Sequence, residues 1–233
     1  MLLKLGVATL VEVSYVLVTR VWLARHFNAI ERELYITVLR AITVPIYWAL
    51  FRNVIGCRRN RVATTKHPLF ALGLISLLLA PVLVVNWAPP NLWTRLVFAL
   101  TSVVVAVREE IFYRGVVQNL LELRLGWVWA IVLSNVIFTA YHYGAWPITF
   151  FRLLAVFLVG SVLGLMYYRS GSLRLVIAIH FLYDALASAA LLQSRSAAPI
   201  WGAGLQLAAL GLIVLWVWRA GLGDHTSPSA LPA

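Results

Sequence analysis

From Leu3 to Arg219 the chain is a succession of apolar runs, each long enough to cross a bilayer and separated from the next by a short polar, glycine- or proline-containing break. About 20 residues of helix span the hydrocarbon layer. A backbone in lipid must satisfy its hydrogen bonds internally, so runs of this kind are read as helices. They fall near 3–24, 34–55, 69–87, 92–123, 127–145, 148–168, 173–193 and 199–219. The spacing predicts an all-α integral membrane protein, a bundle of about eight transmembrane helices. It forms a single polytopic domain over 1–219, followed by a flexible polar tail over 220–233.

Composition agrees. Hydrophobic residues make up 62% of the 233 and charged residues 12%, whereas a soluble domain is charged at about a quarter of its positions. Lys and Arg number 19 against 8 Asp and Glu, a net charge of +11. In a membrane protein that excess sets orientation and meets anionic lipid. With no nucleic-acid reader motif on the chain, membrane lipid and not nucleic acid is the expected partner. The basic cluster Arg58-Arg59-Asn60-Arg61 with Lys66 is expected on the cytoplasmic side, which also places the N-terminus there. Cys57, the one cysteine, permits neither an intrachain disulfide nor a multi-cysteine metal site. Met1 to Val21 has no small-residue cleavage site before Arg20 and Arg25, and is expected to be a retained first span.

Against this background the stretch Arg108-Glu109-Glu110-Ile111-Phe112-Tyr113-Arg114 stands out, because it sets four charges at the end of an apolar run. A charge near the middle of a spanning helix costs roughly 2.5 to 3.5 kcal/mol on insertion scales, so such residues pair, face the protein and serve function. Glu110 and Arg114 are four apart in the favoured acid-first order and can pair along one helix face. Glu109 is turned away from Glu110 by about 100°. One carboxylate is thus a brace and the other is available for chemistry.

Two more polar groups follow. If the chain turns back at Leu125-Gly126, Glu109 and His142 are equidistant from the turn and lie level with each other. Further on, His180 and Asp184 are four apart and share a helix face, which suits a carboxylate that orients an imidazole. All three groups are expected to converge on one site.

The ordered set Glu-Glu-x-x-x-Arg at 109–114, Phe-x-x-x-His at 138–142 and His-x-x-x-Asp at 180–184 resembles the CPBP (Abi) intramembrane proteases, which include the CAAX prenyl endopeptidases. The resemblance covers residues 108–184 and implies a protease core at about 92–193. It implies that Glu109 and His142 activate water and that His180 assists at the oxyanion, with Asp184 beside it. Glu110, Arg114 and Phe138 would be supporting residues. The family often has Asn where Asp184 stands, and an ionised Asp cannot donate a hydrogen bond, so Asp184 is expected to orient His180. The implied substrate is a membrane-embedded or lipidated protein.

Peptide hydrolysis needs a base for water, a donor for the oxyanion and an acid for the leaving amine, and these residues supply all three without a cofactor. The alternative is zinc held by Glu109, His142 and His180, since two histidines and a carboxylate make a known catalytic shell. An aspartyl pair of Asp184 and Asp224 is disfavoured because Asp224 lies in the tail. Ser161, in Gly160-Ser161-Val162-Leu163-Gly164, reads as a helix packing contact. A transporter or scaffold would use the same buried charges for protons or packing, but the charges are clustered and no inverted repeat is evident. Glu12 and Arg40, in the first two spans, are expected to pair with each other.

Overall fold

The computed structural model describes residues 2–56, 70–76, 92–143, 150–191 and 200–223. Seven long helices are present among them, with a further short helical stretch at 70–76. Helix α1 (residues 2–26) contains a π segment, Leu17–Trp22; α2 is Ala29–Gly56. Helix α3 (residues 92–125) comprises Leu92–Glu109, a π segment Glu110–Gln118 and the turns that follow. Helix α4 (residues 127–142), α5 (Phe150–Ser170), α6 (Leu173–Leu191) and α7 (Ile200–Gly223) complete the set.

The expected eighth helix, the run at 69–87, is described only over 70–76, where it is helical. The basic cluster with Cys57, the turns at 86–91 and 144–147, and Asp224 with the rest of the tail lie outside the described residues. Residues 220–223, expected to open the tail, continue α7. Among the described residues, four helical stretches are long and apolar enough to cross a membrane: Leu3–His26, Ala29–Ile55, Arg152–Ser170 and Gly202–Arg219. The protein is multi-pass.

Local chemistry explains where several helices begin and turn. Helix α2 starts five residues earlier than the apolar run implies, because Asn28 caps it. The Asn28 side chain accepts from the amides of Ile30 and Glu31 at 3.0 Å each, and Glu31 accepts from the Asn28 amide at 3.2 Å. This reciprocal arrangement satisfies amides that a helix start otherwise leaves bare. Gly126 (φ 76°) turns α3 back into α4, and Gly171 (φ 64°) turns α5 into α6. Both positions need the left-handed backbone that glycine adopts without penalty.

Packing places the polar groups inside and the apolar ones out. Large apolar side chains such as Leu3, Leu10, Val38, Ile42 and Trp218 are exposed, as suits a lipid-facing surface. Helix α5 is the central element and buries Leu158, Val159, Val162, Leu163, Leu165 and Met166. A second core joins α1, α2 and α3 through Ala8, Tyr47, Phe51, Ile55, Ile111 and Val116. Helix α6 packs along the first half of α3, and α4 lies between α3 and α5. This order brings His180 against the charged turn of α3.

Candidate active site

The α3 to α4 hairpin has the register that the turn at Gly126 implies. Tyr113 and Phe138, equidistant from the turn, meet edge to face with ring centroids 5.0 Å apart. Arg114 reaches Asn135 of the opposite helix, with Nη2 3.4 Å from Oδ1. The expectation that Glu109 lies level with His142 extends this observed register by four residues on each helix.

The four consecutive polar groups of α3 diverge to different partners. Arg108 turns toward α1 and α2: Nη2 donates to both carboxylate oxygens of Glu12, at 2.6 and 2.7 Å, and Nε to Thr43 Oγ1 at 3.1 Å. The rings of Tyr15, Tyr141 and Tyr47 surround its guanidinium, with centroids 4.3, 5.4 and 5.9 Å away. The expected Glu12–Arg40 pair therefore does not form. Arg40 pairs instead with Glu33 at 2.8 Å, seven residues and so about two turns back on the same face of α2.

Glu110 faces the other way. Its Oε2 lies 3.3 Å from Arg114 Nε in an ion pair that is 0% exposed on both sides, and its Oε1 lies 2.7 Å from His180 Nδ1. Arg114 is fixed in turn by Gly160, whose carbonyl accepts from Nη2 at 2.9 Å, and it lies over the Phe138 ring. One turn on, Gln118 donates to the carbonyl of Gly164 at 3.0 Å. Arginine and glutamine thus bind a pair of carbonyls one turn apart on α5, where the small Gly160 and Gly164 admit them.

Glu109 is buried, 3% exposed, with neither neighbouring arginine as partner. Its Oε2 has no hydrogen-bond partner among the described residues and lies 3.9 Å from His180 Nε2. Asp184 Oδ2 lies 3.3 Å from the same nitrogen. The His180 ring thus has Glu110 on one edge and Asp184 with Glu109 on the other, so both of its nitrogens face carboxylate oxygens and both can act as N–H donors. His142 joins this group across Phe138, whose ring centroid is 4.5 Å from that of His142 and 6.3 Å from that of His180. His142 Nδ1 lies 2.8 Å from the Phe138 carbonyl and donates to it, which leaves the lone pair of the neutral ring on Nε2.

The zinc alternative required Glu109, His142 and His180 to share a centre. Among the described residues no three His, Cys, Asp or Glu side chains are grouped to hold a metal ion, and the Phe138 ring stands beside both His142 and His180. Ser161 donates to the Phe157 carbonyl at 2.8 Å and accepts from Asn135 at 3.4 Å, both contacts of helix packing. Sequence reasoning did not single out Asn135 or Tyr141. Asn135 was detectable as an uncharged polar residue two turns before His142 on an apolar helix.

No curated protein and no solved structure matches the chain. Residues 91–186 match the family model described as type II CAAX prenyl endopeptidase Rce1-like. The match includes Arg108 to Arg114, Asn135, Phe138, His142, Gly160, His180 and Asp184, whereas Glu12, Arg20 and Thr43 precede it. Over residues 91–186 the chain is similar to the Rce1-like CAAX prenyl endopeptidases, a CPBP (Abi) family of intramembrane proteases.

Proposed function

We propose that the protein hydrolyses a peptide bond of a membrane-associated substrate with water activated by Glu109 and His142. The observation that carries this is a buried oxygen of Glu109 that has, among the described residues, no hydrogen-bond partner and no arginine beside it, its one cationic neighbour being His180 Nε2 at 3.9 Å. Arginines stand on both sides of it in the chain, yet Arg108 is taken by Glu12 and Arg114 by Glu110. A buried carboxylate oxygen without a partner is costly unless a ligand or water completes it.

In this mechanism Glu109 accepts a proton from water while the Nε2 lone pair of His142 holds the other hydrogen. The hydroxide adds to the scissile carbonyl carbon, and the His180 Nε2–H, directed at Asp184 in the resting site, is shared with the oxygen on which negative charge develops. Glu109 then gives its proton to the leaving nitrogen as the C–N bond breaks. Asp184 orients His180 from one side. Glu110, itself held by Arg114, orients it from the other. No step requires a metal.

The substrate that fits is a peptide delivered within the membrane plane, either prenylated at its C-terminus or anchored by another lipid or an apolar segment. The family description supports the prenylated class, and the apolar exterior of the bundle supports delivery from the bilayer. A membrane-proteome comparison of cells carrying the active protein and the Glu109→Gln variant tests this. Uncleaved substrate accumulates with the variant, and its sequence gives the cleavage point; identical proteomes would overturn the proposal.

A further inference from the structure

The last turn of α4 carries His142, and its end faces a difficulty common to helices in a membrane. The final carbonyls of a helix have no partner within the helix, and in hydrocarbon no water replaces one. Here the partner comes from α1. Arg20 Nη2 donates to the carbonyl of Tyr141 and Nη1 to that of Tyr143, the residues on either side of His142. The same guanidinium lies over the Tyr141 ring, 5.2 Å from its centroid.

Tyr141 is held from its other end as well. Its hydroxyl oxygen accepts from Arg108 Nη1 at 3.3 Å, and its ring stacks on Tyr15 of α1 with centroids 6.4 Å apart. Arg108 is bound in turn by Glu12 of α1. Three polar residues of one helix, Glu12, Tyr15 and Arg20, therefore act on the residue next to His142. In an uninterrupted α-helix Arg20 would be rotated by about 80° from Glu12. The π segment Leu17–Trp22 winds less per residue and turns Arg20 back toward the face that carries Glu12.

We infer that α1, which lies outside the segment matched by the protease family, is a positioning element of the site: Arg20 clamps the end of α4 and thereby sets the place and direction of the His142 imidazole. Arg20 does not touch the reacting atoms. The inference deepens the proposed function and rests on it for the role of His142. Lysine is a poor substitute, because one ammonium is a point charge and lacks the planar fork that spans two carbonyls.

The test uses the purified full chain in detergent with 15N-labelled histidine, comparing the unaltered protein with Arg20→Lys and Arg20→Ala. The His142 ring signals are assigned by their loss in His142→Gln. Cleavage of a farnesylated CAAX peptide is measured alongside. The expected result is a His142 signal that is shifted or broadened in both variants, while the His180 signal stays in place. With it, kcat falls about ten- to a hundredfold in Arg20→Ala and less in Arg20→Lys, with KM within about twofold, as misplacement of a catalytic group predicts. Should Arg20→Ala fail to fold, Arg20→Lys keeps the charge and carries the test alone. An unchanged His142 signal, or a changed signal with unaltered kcat, would overturn the inference. If the unaltered protein leaves the peptide intact, prenyl-peptide cleavage fails while the ring signals still decide whether Arg20 positions His142.

Discussion

His180 Nδ1 lies 2.7 Å from an oxygen of Glu110 whose other oxygen is paired with Arg114, so the imidazole is anchored through a buried ion pair on the same helix turn that carries Glu109. Adjacent glutamates therefore hold different positions, Glu110 between Arg114 and His180 and Glu109 beside His180 alone, at 3.9 Å. Substitution should separate them. Glu110→Ala leaves the Arg114 charge buried without its partner and is expected to cost about 3–5 kcal/mol of stability. Glu109→Gln removes no ion pair with arginine. It is expected to leave stability within about 1 kcal/mol while lowering cleavage at least a hundredfold, the contribution of a general base. Thermal unfolding in detergent beside a cleavage assay checks both, and equal destabilisation by the two substitutions would contradict the division of roles.

Asp184 accepts from His180 Nε2, and the amide oxygen of asparagine accepts in the same place. Asp184→Asn is therefore expected to retain cleavage within about tenfold, since the amide also adds a donor near the developing oxyanion. Asp184→Leu, which removes the acceptor, is expected to lose about a hundredfold or more. Rates of both variants with one substrate decide the matter. A leucine variant as active as the asparagine variant would remove Asp184 from the site.

How much of this was legible in the sequence depended on whether the relevant geometry was local. The Glu110–Arg114 pair and the His180–Asp184 contact follow from a spacing of four on one helix, and the Tyr113–Phe138 register follows from a single turn at Gly126. Contacts between distant helices were not legible. Glu12 was expected to meet Arg40 but pairs with Arg108, because the periodicity of each helix does not specify which faces adjoin. Likewise, the hairpin led to the expectation of Glu109 opposite His142 but said nothing of His180, which only the packing of α6 on α3 brings within 3.9 Å of Glu109. Arg20 needed both the helix order and a π segment that apolar run lengths do not encode.

Metal removal bears on the mechanism directly. Since no three His, Cys, Asp or Glu side chains among the described residues are grouped to hold a metal ion, activity of the purified protein is expected to survive dialysis against a strong chelator with less than a twofold change in kcat. Metal content of the same sample is measured in parallel. Stoichiometric zinc whose loss and return switch cleavage off and on would replace the water activated by Glu109 with a metal-bound one.

Gly160 offers a test of the frame behind the site. In the middle of a helix, replacing glycine by alanine ordinarily gains roughly 0.5–1 kcal/mol. At Gly160, however, an added Cβ would lie 2.5 Å from Asn135 Oδ1 and 3.2 Å from Phe138 Cδ1. Asn135 cannot yield cheaply, because it is fully buried, accepts from Arg114 and donates to Ser161. Phe138 backs both histidine rings. Gly160→Ala is therefore expected to lose about 1–3 kcal/mol, the usual cost of overpacking, and to lower cleavage through displaced Arg114 and Phe138. Gly211→Ala on α7, where nothing lies within 4 Å of the added carbon, is the matched control and is expected to be neutral or mildly stabilising. Unfolding midpoints and cleavage rates of the two variants give the comparison. If Gly160→Ala behaved like Gly211→Ala, the close approach of α5 to Asn135 and Arg114 would not be what holds the His180 anchor in place.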